Sequence, residues 1–313
     1  MPKERNLAID RYRGLAIICM ALADALEDVG AVPAWLKHAP DIGFTFADVV
    51  APMFIFAIAA TYRQSFLRRA EKGCAYAQFV GRYLAIIGVG TIFSVGGAAV
   101  GLASSWGVLQ AIGIAGLLTL LVIKLPALAR AGVGVGLLAV YQLLSNFAPG
   151  FGETVFADDH GGFFGAISWG AMLMLATAMI DCYNRGIKPF LLGAGALSVL
   201  AAGAALLVPV SKNRVSASYV LVSVAVCAAA YLIIDMVSRR LPWKTGIVIW
   251  WGENPLLLYL LHLMLVGLAR VPFGMLDLET KPLLPGLLAA AAILAAMSLI
   301  AWALHRKNAK FSL

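Results

Sequence analysis

Ten apolar runs set the terms on which this chain can fold: 12–29, 45–62, 82–101, 107–123, 131–148, 163–181, 190–209, 217–236, 255–271 and 284–303. A helix of about 20 residues, rising about 1.5 Å per residue, spans a hydrocarbon core about 30 Å thick. Inside that core each segment has to satisfy its own backbone polar groups, which favours helices. Only 13% of the 313 residues are charged, whereas a soluble domain carries about a quarter. The sequence therefore predicts an all-α integral membrane protein of about ten transmembrane helices, with residues 1–313 as a single domain.

An even number of spans puts both termini on one side. On that reading 19 of the 24 Lys and Arg, Lys3, Arg5, Arg13, Arg63 and Arg69 among them, fall on the side of the termini. The positive-inside rule makes that side cytoplasmic. Most acids, including Glu27, Asp28, Asp41, Asp158, Asp159, Asp277 and Glu279, gather on the other side. The net charge of +8 therefore reflects topology and does not point to nucleic acid. The polar start Met1–Asn6 leads into a span with no small-residue cleavage site, so no cleaved leader is expected. Cys19, Cys74, Cys182 and Cys227 stand singly and read as small packing residues.

Ionisable groups inside the spans are expensive and point to function or to pairing. Asp24 lies about 16 Å along the first span from Arg13, past mid-membrane. It has no basic partner one turn away, so it has to face a cavity or a partner on another helix. His262 lies about 10 Å into the ninth span and reads as a histidine bonded to another helix. His38 and Asp41 precede the second span, which opens Thr45-x-x-Asp48. That is a capping-box pattern in which Asp replaces the usual Glu. Pro52 follows one turn deeper and should kink the helix.

Asp10 reads as an N-cap, Gly14 as a site of close helix approach, and Arg13 as a basic anchor at the interface. Asn254-Pro255 reads as an N-cap with Pro at the first helical position, after an interfacial segment 247–251. The loop at 149–162 carries Asp158, Asp159 and His160 among glycines and suits a cover over a site mouth. Lys212 and Arg214 break the charge pattern and suit either a tolerated surface exception or contact with an anionic ligand. No P-loop, Rossmann glycine pattern, H-E-x-x-H or G-x-S-x-G occurs.

These residues carry a resemblance. Asp10-x-x-Arg13-Gly14, the block from His38 to Phe56, Gly107-Val-Leu-Gln110-x-x-Gly113, Asp159-x-x-Gly162-x-x-Gly165, Pro209-Val-x-Lys212-Asn213, and Gly252-x-Asn254 with Tyr259 and His262 occur in order over nearly the whole chain. The sequence resembles the membrane acyltransferases typified by heparan-α-glucosaminide N-acetyltransferase. The block from His38 to Pro52 is its most specific part.

The resemblance implies transfer of an acyl group, usually acetyl, from cytosolic acyl-CoA to an amino sugar or glycan across the membrane. It implies a multi-pass protein of the cell's inner (cytoplasmic) membrane. His38 falls on the family's active-site histidine, with Asp48 and Asp24 as catalytic partners. Arg13, Gln110, Lys212 and Asn254 are candidates for cofactor contact. Asp159, His160, Asn213 and His262 are candidates for substrate contact. No metal is expected, and the sequence leaves room for a homodimer. The chain departs from the family at Asp24, where an asparagine is expected, at Ala111, where an arginine is expected, and at Ser211 in place of asparagine. A rival reading is a transporter or flippase for a small anionic or lipid-linked solute, with Asp24 and His262 relaying protons.

Overall fold

The computed structural model describes residues 7–99, 106–241, 243–275 and 280–311. Lys3, Arg5, Asp277 and Glu279, which enter the charge count above, lie outside them. Twelve α-helices follow one another: α1 Leu7–Leu26, α2 Phe46–Ala70, α3 Ala75–Ala99, α4 Val108–Val122, α5 Ala127–Phe147, α6 Phe151–Ala157, α7 Gly162–Arg185, α8 Ile187–Leu207, α9 Ala217–Arg240, α10 Ile247–Glu253, α11 Pro255–Met275 and α12 Leu283–Arg306. Among the described residues there are no strands, so the protein is an all-α membrane protein.

Eight of these helices are long and apolar enough to cross a membrane. Helix α4 is apolar but short, and α1 is long but carries Asp10, Arg11, Arg13 and Asp24. Each of the ten predicted runs overlaps a helix; residues 100–101 of the third run lie outside the described residues. Helix α1 is already helical at Leu7, so Asp10 sits in its first turn and not at the N-cap. Helix α2 runs through Pro52 without interruption. The segment 247–251 is the short helix α10.

The helices divide between two compact units, with the division falling inside α2 and inside α9. The first unit holds residues 1–39, 45–54 and 230–312, and therefore α1, α10, α11 and α12. Its innermost contact joins α1 to α10 through two glycines. A Cβ on Gly14 would lie 1.8 Å from the Val248 carbonyl oxygen, and one on Gly252 would lie 1.9 Å from that of Asp10. Small residues let two helix backbones touch in this way. Around the contact Ile17, Met20, Leu258, Ile293 and Met297 form a buried apolar cluster. Arg11, buried at the foot of α1, donates to the carbonyls of Ser238 (3.0 Å) and Trp243.

The second unit holds residues 40–44 and 55–229. Its central element is α7, buried along most of its length, against which α4 and α5 pack. The α3–α4 contact is close at Gly116, where a Cβ would meet the Tyr83 ring at 2.2 Å. The Tyr62 hydroxyl donates to the Gly116 carbonyl at 2.7 Å. Arg130 is fully buried. It donates to Asp181, to Thr177 and to the carbonyl oxygens of Ile123 and Leu125. An isolated charge could not persist there. The carboxylate, the Thr177 hydroxyl and the carbonyl oxygens together account for all of its bonding directions.

The glycine contact sets a test. Gly14→Ala and Gly252→Ala should each destabilise the first unit by roughly 1–3 kcal/mol through overpacking. Gly81→Ala on α3, where a Cβ meets nothing within 4 Å, should be neutral or stabilising. Thermal unfolding in detergent compares the three.

Candidate active site

The beginning of α2 organises the site. Asp48 lies in the first turn and is fully buried. Its Oδ2 accepts from the Thr45 N–H (3.0 Å), the Thr45 hydroxyl (3.0 Å) and the Ala39 N–H (3.3 Å). This is the reciprocal arm of a capping box, with Asp reaching back to the cap as the longer Glu usually does. The positive end of the helix dipole also favours a negative group there. Three donors on one oxygen fit a carboxylate, which only accepts.

The other oxygen, Oδ1, lies 2.9 Å from His38 Nδ1. Because the carboxylate accepts, Nδ1 carries the hydrogen and Nε2 presents its lone pair. The His38 backbone is held as well: its N–H donates to Glu27 at 3.1 Å, just past the end of α1. Sequence reading did not single out Glu27, and no motif marks it. The His38 side chain remains 30% exposed, so its ring is both oriented and reachable.

The imidazole Nε2 points toward α1, with Asp24 Oδ1 4.0 Å away. Asp24 is itself 30% exposed. Its second oxygen meets His262 Nε2 at 2.8 Å, and His262 Nδ1 meets the Tyr259 carbonyl on the same helix. The partner expected for Asp24 is thus His262 on α11, which is fully buried. Four residues of the first unit therefore stand in a row: Asp48, His38, Asp24, His262. The arrangement offers a base whose proton is directed by a carboxylate, facing a second carboxyl across a narrow gap.

The remaining candidates lie elsewhere. Arg13 sits on α1, partly buried. Asn254 is buried at the start of α11. Its amide donates to the Ala309 carbonyl (3.0 Å) and accepts from the Phe311 N–H (2.7 Å). Its side chain thus clasps the C-terminal segment, while its backbone carbonyl accepts from the Leu258 N–H.

In the second unit Gln110 closes the start of α4, accepting from the Gly107 N–H and donating to Ser94. Asp159 and His160 form a tight turn before α7, with His160 at a φ of 56° and its carbonyl accepting from the Trp169 indole. Asn213 donates to the Pro40 carbonyl at 2.8 Å. Lys212 and Asn213 belong to a loop beside a cavity of about 380 Å³, whose polar lining includes Gln142, Ser145, Asn146, Ser211, Arg214 and Ser216.

That loop has its own electrostatics. Arg214 pairs with Asp41 at 3.1 Å and stacks on the Phe156 ring at 4.6 Å. The Ser211 hydroxyl donates to Asp41 at 2.6 Å. Burial pushes the Asp41 carboxyl up. The hydrogen bonds from Arg214 and Ser211, with the guanidinium charge, outweigh it and hold the group below its ordinary value.

Residues 5–158 match the family model described as heparan-alpha-glucosaminide N-acetyltransferase, catalytic. The matched span includes Asp24, His38 and Asp48, while His262 and the 209–216 loop follow it. No curated protein matches the chain.

The lowered Asp41 value gives a stability prediction. Its contribution is fully present above the ordinary carboxyl pKa of about 3.9 and is lost as pH falls through the lower folded value. Asp41→Asn should therefore unfold earlier than the parent at neutral pH. The difference should vanish once pH drops below the folded value. Melting curves over an acid series measure it.

Proposed function

We propose that the chain, whose residues 5–158 match the heparan-alpha-glucosaminide N-acetyltransferase catalytic model, is a membrane acyltransferase of that kind, using acetyl-CoA as donor and an amino sugar or glycan as acceptor. The observation that supports this most directly is the His38 imidazole, with Nδ1 tied to a buried carboxylate and Nε2 open beside Asp24. In this reading the donor enters from the cytoplasmic face, where both termini lie, and the acceptor arrives from the other side. The protein would reside in the cell's inner membrane, with the whole chain acting as one transferase domain.

The chemistry follows from the tautomer. His38 Nε2 takes a proton from the acceptor amine as nitrogen attacks the thioester carbonyl carbon. The C–N bond forms, the C–S bond breaks, and CoA leaves as its thiol. Asp48 holds the ring in the reactive tautomer and stabilises the imidazolium, following the logic of a catalytic triad. Asp24 completes the catalytic set. Arg13 is the cationic candidate for the donor's phosphates, and Lys212 remains a candidate for contact with donor or acceptor. Gln110 and Asn254 would act by holding the backbone around the donor path, since their amides already bond within the protein. Asp159, His160 and Asn213 remain candidates for acceptor contact.

The Asp24–His262 hydrogen bond would equally suit a proton-coupled transporter, so the deciding experiment separates the two. Purified protein in vesicles should release CoA from acetyl-CoA in proportion to acetylated amine. Movement of unmodified solute without CoA release would establish the transporter instead. His38→Ala should lower transfer by about 10²–10⁴-fold while the protein still folds. A folded His38→Ala protein with full activity would defeat the assignment.

A further inference from the structure

We propose that Asp24 and His262 hold one proton between them and together form the acid that protonates the departing CoA sulfur. The inference rests on the transferase reading above and assigns the second proton of that reaction.

The argument begins with His262. Its Nδ1 faces the Tyr259 carbonyl, which can only accept, so Nδ1 carries a hydrogen. Its Nε2 lies 2.8 Å from Asp24 Oδ2. Two lone pairs would repel at that distance, so a proton lies between them. It belongs either to a carboxyl donating to a neutral ring or to an imidazolium donating to a carboxylate. In both cases the pair holds one transferable proton.

His262 is fully buried with both ring nitrogens engaged, and it reaches the reaction only through Asp24. It is a positioning residue. Asp24 keeps Oδ1 toward His38 Nε2, 4.0 Å away, and is partly exposed. The other charged groups of the surrounding elements already have partners. Glu27 accepts from the His38 N–H, and Asp28 pairs with Arg270 (2.7 Å) and Lys281 (3.7 Å). Glu253 pairs with His305 at 2.9 Å. Tyr259 packs its ring edge-on to His262.

Transfer then needs two protons handled at once. His38 Nε2 gains the amine's proton as the C–N bond forms. As the C–S bond breaks, the sulfur receives the proton of the Asp24–His262 pair. His38 is left with one proton too many and the pair with one too few. One transfer from Nε2 to Oδ1, through a bridging water or after the two side chains close the 4.0 Å gap, restores both. The sum is amine plus thioester giving amide plus thiol, with no other reactant.

A leaving group that needs no acid provides the test. The selenium analogue of acetyl-CoA matches the donor in shape, but its selenolate is a much weaker base than a thiolate and departs without protonation. With full-length protein in nanodiscs and a panel of amino sugars as acceptors, Asp24→Asn and His262→Gln should lower kcat for acetyl-CoA by about 10²–10⁴-fold at unchanged KM for the donor. For the selenoester the loss should stay below about tenfold. His38→Ala should impair both donors alike. Equal losses with both donors in the Asp24 and His262 variants would overturn the assignment.

A readout without turnover separates this inference from the reading beneath it. In ¹⁵N spectra of histidine-labelled protein, the His262 Nε2 signal should move toward that of a free lone-pair nitrogen in Asp24→Ala, which removes both a carboxyl donor and a carboxylate acceptor. An unchanged signal overturns the shared proton. A shift alongside a wild-type protein that releases no CoA overturns the transferase reading and the acid role with it, leaving only the hydrogen bond.

Discussion

A single carboxylate, that of Asp48, holds together everything the active centre needs. It caps α2, draws Ala39 and Thr45 to one oxygen, and turns the His38 ring with the other. A charge buried as fully as this one would be prohibitive without donors. Hydrogen bonds to charged groups each contribute about 1.5–3 kcal/mol, so four of them offset much of the desolvation. Stability and chemistry therefore share one set of bonds. Replacing Asp48 would loosen a helix start and misalign an imidazole together, so its loss alone cannot separate the two roles.

The same economy governs the other buried charges. Arg130 has Asp181 and a set of carbonyl oxygens, and Arg11 has two carbonyls, one in the last turn of α9 and one just past it. Asp28 has Arg270 and Lys281. These groups are saturated and serve to lock helices. Asp24 and His38 differ because each keeps one polar atom turned toward the other across a gap too long for a bond. Reactivity lies where the pairing stops.

Much of this was legible in the sequence. Apolar run length located every spanning helix, because the thickness of the hydrocarbon core leaves little choice of element. The Thr45-x-x-Asp48 spacing announced its cap, and Gly14 announced a close contact. The resemblance singled out His38. What stayed hidden was long-range. Asp24 plainly needed a partner, but no local pattern names a histidine 238 positions away. Gly252 as the counterpart of Gly14 was hidden for the same reason. Asn254 looked like a helix cap because Asn before Pro usually is one. Its amide went to the backbone at 309 and 311, which no local rule would select. Arg130 with Asp181 stayed hidden because no local pattern ties together two charges 51 positions apart.

The pairing of Asp24 with His262 also has a consequence for biosynthesis. Helix α1 is made well before α11. At synthesis rates of about 5–20 residues per second, the 238 intervening residues separate the two by roughly 10–50 s. During that interval the Asp24 carboxyl, in the last turn of α1, lacks its hydrogen-bond partner His262. The nascent first helix must wait at the insertion machinery or the interface, or enter the bilayer with Asp24 neutralised. Assembly of the catalytic row thus waits on α11, and no truncated product ending before that helix can contain it.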